Sequence, residues 1–293
     1  MNRPLQINNP FQRAAGGWNL FWFAPCPRRP LDLFRLAHGG ALLAYLSAWW
    51  FHAAEWLTNE GFHFPDAAVS PLPRALLPAF GLLQFGVLIL FMLGWKPRLT
   101  AAMSWICLLY VTLADEPSAF SINSIYLFTF AVLTVFPGNP LNTAKIQVAP
   151  IRLLQFGMIA IYFSSGWNKA VYGDWLDSPT MLWTALQGIY MTDLAAWLLR
   201  TMPIKCWLVV QYAIVTFELL SPILFFTKRL RWVGILLGCT IHLGIALLMD
   251  QLIYFSLQMM SFYVLFLSDQ MPSQEALPSA VRKGIPCQKH WSG

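Results

Sequence analysis

Charge is the scarcest feature of this sequence. Asp, Glu, Lys and Arg make up 11% of its 293 residues, where a soluble domain carries roughly 25%. So little polar surface excludes a dispersed, water-soluble fold of this size. Cysteine is also sparse, with Cys26, Cys107, Cys206, Cys239 and Cys287 spread over the chain. No CxxC or Cys/His cluster occurs, which argues against a disulfide framework or a zinc site. Cys107, Cys206 and Cys239 lie in apolar runs, where the thiol packs as a small hydrophobe. The first 32 residues hold Arg3, Arg13, Arg28 and Arg29 but no clean apolar core followed by small residues, so no cleaved signal peptide is expected. GxSxG, a phosphate loop and HExxH are all missing, and no basic patch alternates with aromatics as nucleic-acid binding would need. Neither a metal nor a nucleic-acid partner is expected.

What is abundant points to the bilayer. Hydrophobic residues reach 57% and aromatics 15%, with 14 Trp, and the mean hydropathy is +0.55. Amphipathic rings in this number suit anchoring at headgroup level, as well as packing between helices. The expected fold is all-α, a polytopic transmembrane helical bundle of about eight spans. A span needs about 20 mostly apolar residues, and segments near that length run over 33–54, 75–94, 100–113, 121–136, 151–167, 206–226, 232–249 and 252–267.

The loops between these segments alternate in charge. Basic loops carry Arg28 and Arg29, then Lys96 and Arg98, Lys145 and Arg152, and Lys228, Arg229 and Arg231; acidic ones carry Glu55, Glu60 and Asp66 with only Arg74, then Asp115 and Glu116, Asp174 and Asp177, and Asp250, while Arg200 and Lys205 break the pattern. Basic loops stay in the cytoplasm, so both termini are expected there, with membrane lipid as the surrounding partner. Residues 178–202 are apolar but would invert all later loops if they spanned. They are expected to form an interfacial or re-entrant helix on the outer side. The organisation is thus a basic cytoplasmic segment (1–32), a transmembrane domain (33–268) and a Pro-containing cytoplasmic tail (269–293).

Ionisable groups at membrane depth are costly and need a reason. Lys169 closes the fifth segment after Ser164, Ser165 and Gly166, small residues that allow helices to approach closely. Partly desolvated, it would act as a base; as a plain helix-end residue, it would extend to the interface. Glu218 and His242 lie mid-segment, 11 residues before and 13 residues after the turn at Arg229. That puts each roughly 15–20 Å from the turn, at matched depth on antiparallel neighbours. They are expected to meet, either as a polar clamp between helices or as a proton or quinone site. Asn123 and Ser124 open the fourth segment on the side of Lys169.

Three stretches carry a family resemblance. YFSSGWNKAVYGDWLDSPTMLW resembles the segment of vitamin K-dependent carboxylase-like proteins in which a helix ends in a Gly-x-x-Lys stretch followed by Trp. FELLSPILFFTKRLRWVGILLGCTIHLGIALL is similar to the next landmark of that superfamily, an acid before a Pro, a basic turn, and a His in the following helix. LDLFRLAHGG and LGWKPRLTA resemble its first helix and second turn. The likeness covers roughly residues 31–268 and identifies the chain as similar to HTTM-domain proteins.

The resemblance implies a chemistry. In the carboxylase, the motif Lys deprotonates a reduced naphthoquinone, which reacts with oxygen to give the base that removes a proton from peptidyl glutamate. By that likeness Lys169 would be the catalytic base, with a reduced quinone as cofactor; Glu218 and His242 join it as candidate catalytic residues by their depth, and Asn123, Ser124 and Trp175 are the candidate substrate-binding residues. Two departures point away from glutamate carboxylation: Ser124 stands about where the carboxylase has a His, and the large extramembrane peptide-binding domain has no counterpart here. The reading that follows is base or redox chemistry on a quinone or lipid-soluble substrate, coupled to modification of an exported peptide, in a bacterial inner membrane. The alternative is a non-catalytic maturation factor for a secreted peptide, or a transport or complex subunit.

Overall fold

The computed structural model describes residues 10–60, 69–114, 121–136 and 145–267. Each of the eight apolar segments is helical. Among the described residues the α-helices are α1 (Pro10–Phe23), α2 (Arg29–Trp50), α3 (Ala53–Leu57), α4 (Leu77–Leu93), α5 (Pro97–Ala114), α6 (Ser121–Val135), α7 (Ala149–Val171), α8 (Met181–Ala185), α9 (Asp193–Thr201), α10 (Ile204–Phe226), α11 (Arg231–Leu248) and α12 (Ile253–Tyr263). Four helical stretches are long and apolar enough to cross a membrane: Arg74–Leu93, Pro97–Ala114, Ile204–Phe226 and Arg231–Leu248. α6 and the stretch Ile253–Phe266 are apolar but shorter.

Local sequence explains where these helices begin and end. Pro30, Pro78 and Pro150 sit in the first turns of α2, α4 and α7, where a missing N–H is harmless and the fixed φ suits a helix. Gly94 ends α4 at φ 77°, its N–H reaching back to the carbonyls of Leu90 and Phe91, the left-handed cap that glycine adopts most readily. Pro97 then opens α5.

The helices form two groups, α2 with α4, α5 and α6, and α7 with α10, α11 and α12; α2–α12 and α6–α7 contacts join them. One buried apolar core runs through both groups, from Phe34 and Phe91 to Phe225 and Phe262. Outward faces are apolar too: Leu82, Val209 and Leu236 are each more than two-thirds exposed. A soluble protein avoids so continuous an apolar exterior, whereas lipid covers it at no cost.

Two features inside the basic N-terminal segment have no clear sequence signal. α1 packs along α7. Pro25–Pro27 pairs antiparallel with Lys145–Gln147, with Cys26 facing Ile146, as a short clip of strands β1 and β2. Neither strand has the alternating β-branched pattern that announces one.

The stretch 178–202 is not a single interfacial or re-entrant helix. It breaks into α8 and α9 with turns between them. Backbone bonds clip it to the end of α11: the Thr192 N–H donates to the Leu248 carbonyl at 3.3 Å, and the Asp250 N–H to that of Tyr190 at 2.6 Å. Thr192 caps α9 by accepting from the Ala195 N–H. Short capped helices satisfy their backbone locally and need no continuous run through the apolar layer.

The acids are concentrated at one end of the bundle, and basic residues lie at both. At one end stand the α2 N-terminus, the clip, the α4–α5 turn and the α10–α11 turn. These are linked by Arg35 to the Met92 carbonyl and Arg231 to the Phe266 carbonyl. This end carries Arg28, Arg29, Lys96, Arg98, Lys145, Lys228 and Arg229, with Asp32 as its described acid. Glu55, Glu60, Asp174, Asp177, Asp193 and Asp250 lie at the opposite end, together with Arg74, Lys169, Arg200 and Lys205.

Candidate functional site

Lys169, Ser165, Gly166 and Tyr162 recur at helical spacing on one face of α7. That face meets α10 along Gln211, Val215 and Glu218, all buried. The two helices come closest at Gly166, where an added Cβ would lie 2.8 Å from Glu218 Cβ and 2.9 Å from the Leu219 nitrogen. α10 is also interrupted there. Pro222 lies within the helix and has no N–H to give the Glu218 carbonyl four residues earlier.

Glu218 forms a buried ion pair with Lys169. Its Oε1 accepts from Lys169 Nζ, and from Ser165 Oγ at 3.2 Å. Lys169 Nζ also reaches Ser165 Oγ at 3.0 Å and lies 5.1 Å from the centre of the Trp175 ring. The side chain of Lys169 keeps 24% of its surface open against 11% for that of Glu218, so the pair opens on the lysine side. Glu218 Oε2 is buried with no hydrogen-bond partner among the described residues.

Trp175 is held over the lysine by α10. Gln211, fully buried, donates through Nε2 to the carbonyls of Trp175 at 2.5 Å and Ser178 at 2.8 Å. Its Oε1 accepts from the Leu182 N–H at 2.9 Å. Gln211 precedes Glu218 by seven residues, two helical turns, so one face of α10 both engages the lysine and pins the loop that covers it.

His242 does not pair with Glu218 as expected. Its Nε2 lies 2.6 Å from Tyr162 Oη, which is 2.5 Å from Tyr263 Oη. A consistent direction runs from Tyr263 to Tyr162 to His242, leaving the proton on Nδ1, which is buried without a partner among the described residues. Gly238 makes the space for this triad: a Cβ there would lie 2.1 Å from the Tyr263 oxygen. The reason is rotation around α10. That helix turns Phe217 and Leu224 toward Gly238 and Gly234 of α11, and Glu218, about 100° round, toward α7. Matched depth fixes position along the helix axis but not the direction in which a side chain faces.

The remaining expected site residues divide. Trp175 joins Lys169 and Glu218. Asn123 is buried elsewhere, accepting from Tyr45 of α2 at 3.1 Å, and Ser124 lies exposed on α6. Tyr162, Gln211 and Tyr263 carry no site motif in the sequence taken alone, and Ser165 is marked there only as a small residue. Tyr162 and Gln211 each lie two turns from a named residue on the same helix face, a signal that was available. Among the described residues, no group of three or more His, Cys, Asp or Glu gathers as metal ligands would.

Comparison with curated proteins and with solved structures finds no match to either. A family model described as the HTTM domain matches residues 23–270, most of the chain and all of the site just described. The chain therefore belongs to the HTTM family.

Proposed function

We propose that this HTTM membrane protein carries out proton-transfer chemistry at the Lys169–Glu218 pair on a lipid-soluble substrate, with an exported peptide as the species ultimately modified. One observation carries the reading: a lysine and a glutamate are drawn together at the closest approach of two helices, under a tryptophan pinned in place. Bringing both charges to that depth costs several kcal/mol unless geometry and further hydrogen bonds repay it.

The reading includes eight spans, α2, α4, α5, α6, α7, α10, α11 and α12, in a bacterial inner membrane with both termini cytoplasmic. The cluster of Arg28, Arg29, Lys96, Arg98, Lys145, Lys228 and Arg229 at one end supports that orientation, while Arg74, Arg200 and Lys205 at the other depart from it.

A reduced quinone suits the residues present. Trp175 offers an aromatic face, Lys169 a donor to a ring oxygen, and the unpartnered Glu218 Oε2 an acceptor for a hydroxyl. Such a group would supply reducing equivalents. The chain's own part is to hold and move a proton. In a low-dielectric site a lysine–glutamate pair exists either as ions or as neutral amine and acid. Passage of the proton from Lys169 Nζ to Glu218 Oε1 leaves an amine able to take a proton from substrate. Ser165 fixes the direction of both groups, and Trp175 limits water.

A second reading is favoured by the same ion pair: a polar clamp of α7 on α10 in a non-catalytic maturation or transport component. Lys169→Arg separates the two. Arginine preserves the charge but stays protonated and cannot become a neutral base. Mass spectrometry of the purified protein for bound quinone, with the export or turnover phenotype of the variant, is the test. Loss of function in a normally folded Lys169→Arg protein supports chemistry; full function in that variant ends it and leaves the clamp.

A further inference from the structure

The stretch from Asp174 to Leu182, which leads from the end of α7 into α8, lies over Lys169. Asp174, Leu176, Asp177 and Pro179 on it are exposed. Trp175 turns inward instead, its ring centre 5.1 Å from Lys169 Nζ. Gly173 lets the ring fold back, since an added Cβ there would lie 3.2 Å from Trp175 Cδ1. The stretch therefore has one open face and the lysine beneath the other.

Its attachment is narrow. Among the described residues, the hydrogen bonds that tie 174–182 to a long helix come from two neighbouring side chains of α10. Gln211 supplies three of them, to the carbonyls of Trp175 and Ser178 and from the Leu182 N–H. Tyr212 Oη donates the other, to the Leu176 carbonyl at 3.3 Å. Gln211 is fully buried, whereas Tyr212 is exposed. Buried groups are costly to leave unpaired, so the three Gln211 bonds break only with release of the whole stretch.

We infer that Gln211 is a latch, whose bonds hold Trp175 over Lys169 and so set how far the lysine is open to water and to substrate. The inference regulates the site of the proton-transfer reading and rests on that reading for its purpose. Gln211 touches no reacting atom; it acts through Trp175 and is a positioning residue. Glu218 follows two turns later, about 10.5 Å along the same helix, so one rigid element fixes both the partner of the lysine and its cover. With the cover shut, the ion pair is held from bulk water, where charges interact more strongly. With the cover released, the amine is open to a substrate ring.

The test is acylation of Lys169 in the full chain, purified in detergent, by the water-soluble amine reagent sulfo-N-hydroxysuccinimidyl acetate. Peptide mass spectrometry reads the rate against exposed Lys205. Gln211→Met keeps the length of the side chain but loses its strong donors and acceptor. It should raise the Lys169 rate at least about tenfold, because three buried hydrogen bonds are lost together. Tyr212→Phe loses one exposed bond and should change the rate about twofold or less. Gln211→Glu keeps the acceptor for Leu182 but neither donor; it too should open the cover, and it decides the matter if Gln211→Met does not fold. Wild-type labelling of Lys169 in whichever Gln211 variant folds overturns the latch. A parallel rise in alkylation of buried Cys26 also overturns it, because the whole bundle has then loosened. The two readings fail separately: full function in Lys169→Arg ends the chemistry without altering these rates, and unchanged rates end the latch without altering the Lys169–Glu218 pair.

Discussion

Gly166→Ala tests the architecture of the site directly. A methyl group at this position meets Glu218 Cβ at 2.8 Å, the Leu219 nitrogen at 2.9 Å and the Glu218 carbonyl carbon at 3.1 Å. None of these is the end of a flexible side chain, so no rotamer change relieves the clash and α7 and α10 must separate. Overpacking of this kind costs ~1–3 kcal/mol. Alanine's better helix propensity opposes it by up to ~1 kcal/mol, which is why a control is needed. Gly86 in α4 has nothing within 4 Å of its would-be Cβ, and Gly86→Ala therefore carries the propensity gain alone. The difference between the two variants is the packing cost, which at ~2–4 °C per kcal/mol places the apparent melting midpoint of Gly166→Ala ~2–12 °C below that of Gly86→Ala. The assay is thermal unfolding of both proteins in one detergent, followed by the functional readout used for Lys169→Arg. If Gly166→Ala melts at or above Gly86→Ala, the close approach that creates the Lys169–Glu218 pair is not a stabilising contact, and the argument built on it fails.

Further expectations follow from particular contacts. Tyr162→Phe removes the oxygen shared by His242 and Tyr263 and should destabilise the protein by ~2 kcal/mol or more, whereas Tyr263→Phe leaves the Tyr162–His242 bond and should cost less; equal melting of the two variants would refute the triad. Single cysteines placed at Asp174 and Arg229, in a background without native cysteines, should label from the outer side at 174 and not at 229; the reverse would overturn the eight-span orientation. Burial pushes the Cys26 thiol up to about 11, with Arg152 opposing in part. Because the shift is upward, the neutral thiol persists through the physiological range and thiolate grows tenfold per pH unit below that value. A Cys26-only protein should therefore react with a maleimide far more slowly at pH 8 than one retaining only exposed Cys206, and comparable rates would show that Cys26 is not sequestered.

The helices were legible because a spanning or core helix writes itself as a long apolar run. The segment read as 75–94 is α4, Leu77–Leu93, and that read as 206–226 is α10, Ile204–Phe226. Charge position was legible for the same reason: lysine and arginine in short loops mark an end of the bundle whatever the packing inside. The clip between Pro25–Pro27 and Lys145–Gln147 was not, because it depends on two distant segments meeting. The fate of 178–202 was hidden as well. Apolar content alone does not distinguish one helix from two short ones held by backbone bonds to Leu248 and Asp250.

The candidate site marks the limit of one-dimensional reasoning more sharply. Lys169 and Glu218 both stand out in the sequence, yet their pairing does not: spacing points the glutamate at His242 and leaves the lysine as a partly desolvated base or an interfacial residue. Depth along a helix follows from counting residues, and the count was sound. Azimuth follows from which neighbour each face meets, and that is set by glycines: Gly166 marks a close approach in the sequence, but which helix it meets is decided only by the packing. Gly166 brings α7 onto Glu218; Gly234 and Gly238 seat α11 against Leu224, Phe217 and Tyr263. Glu218 is thereby committed to Lys169, and His242 to Tyr162, which belongs to the same helix as the lysine. The consequence is chemical. Geometry makes α7 the common wall of both polar groups, with Lys169 at its open end and Tyr162 two turns deeper, so a substitution that rotates α7 must disturb both groups together, while one confined to α11 reaches only the His242 triad.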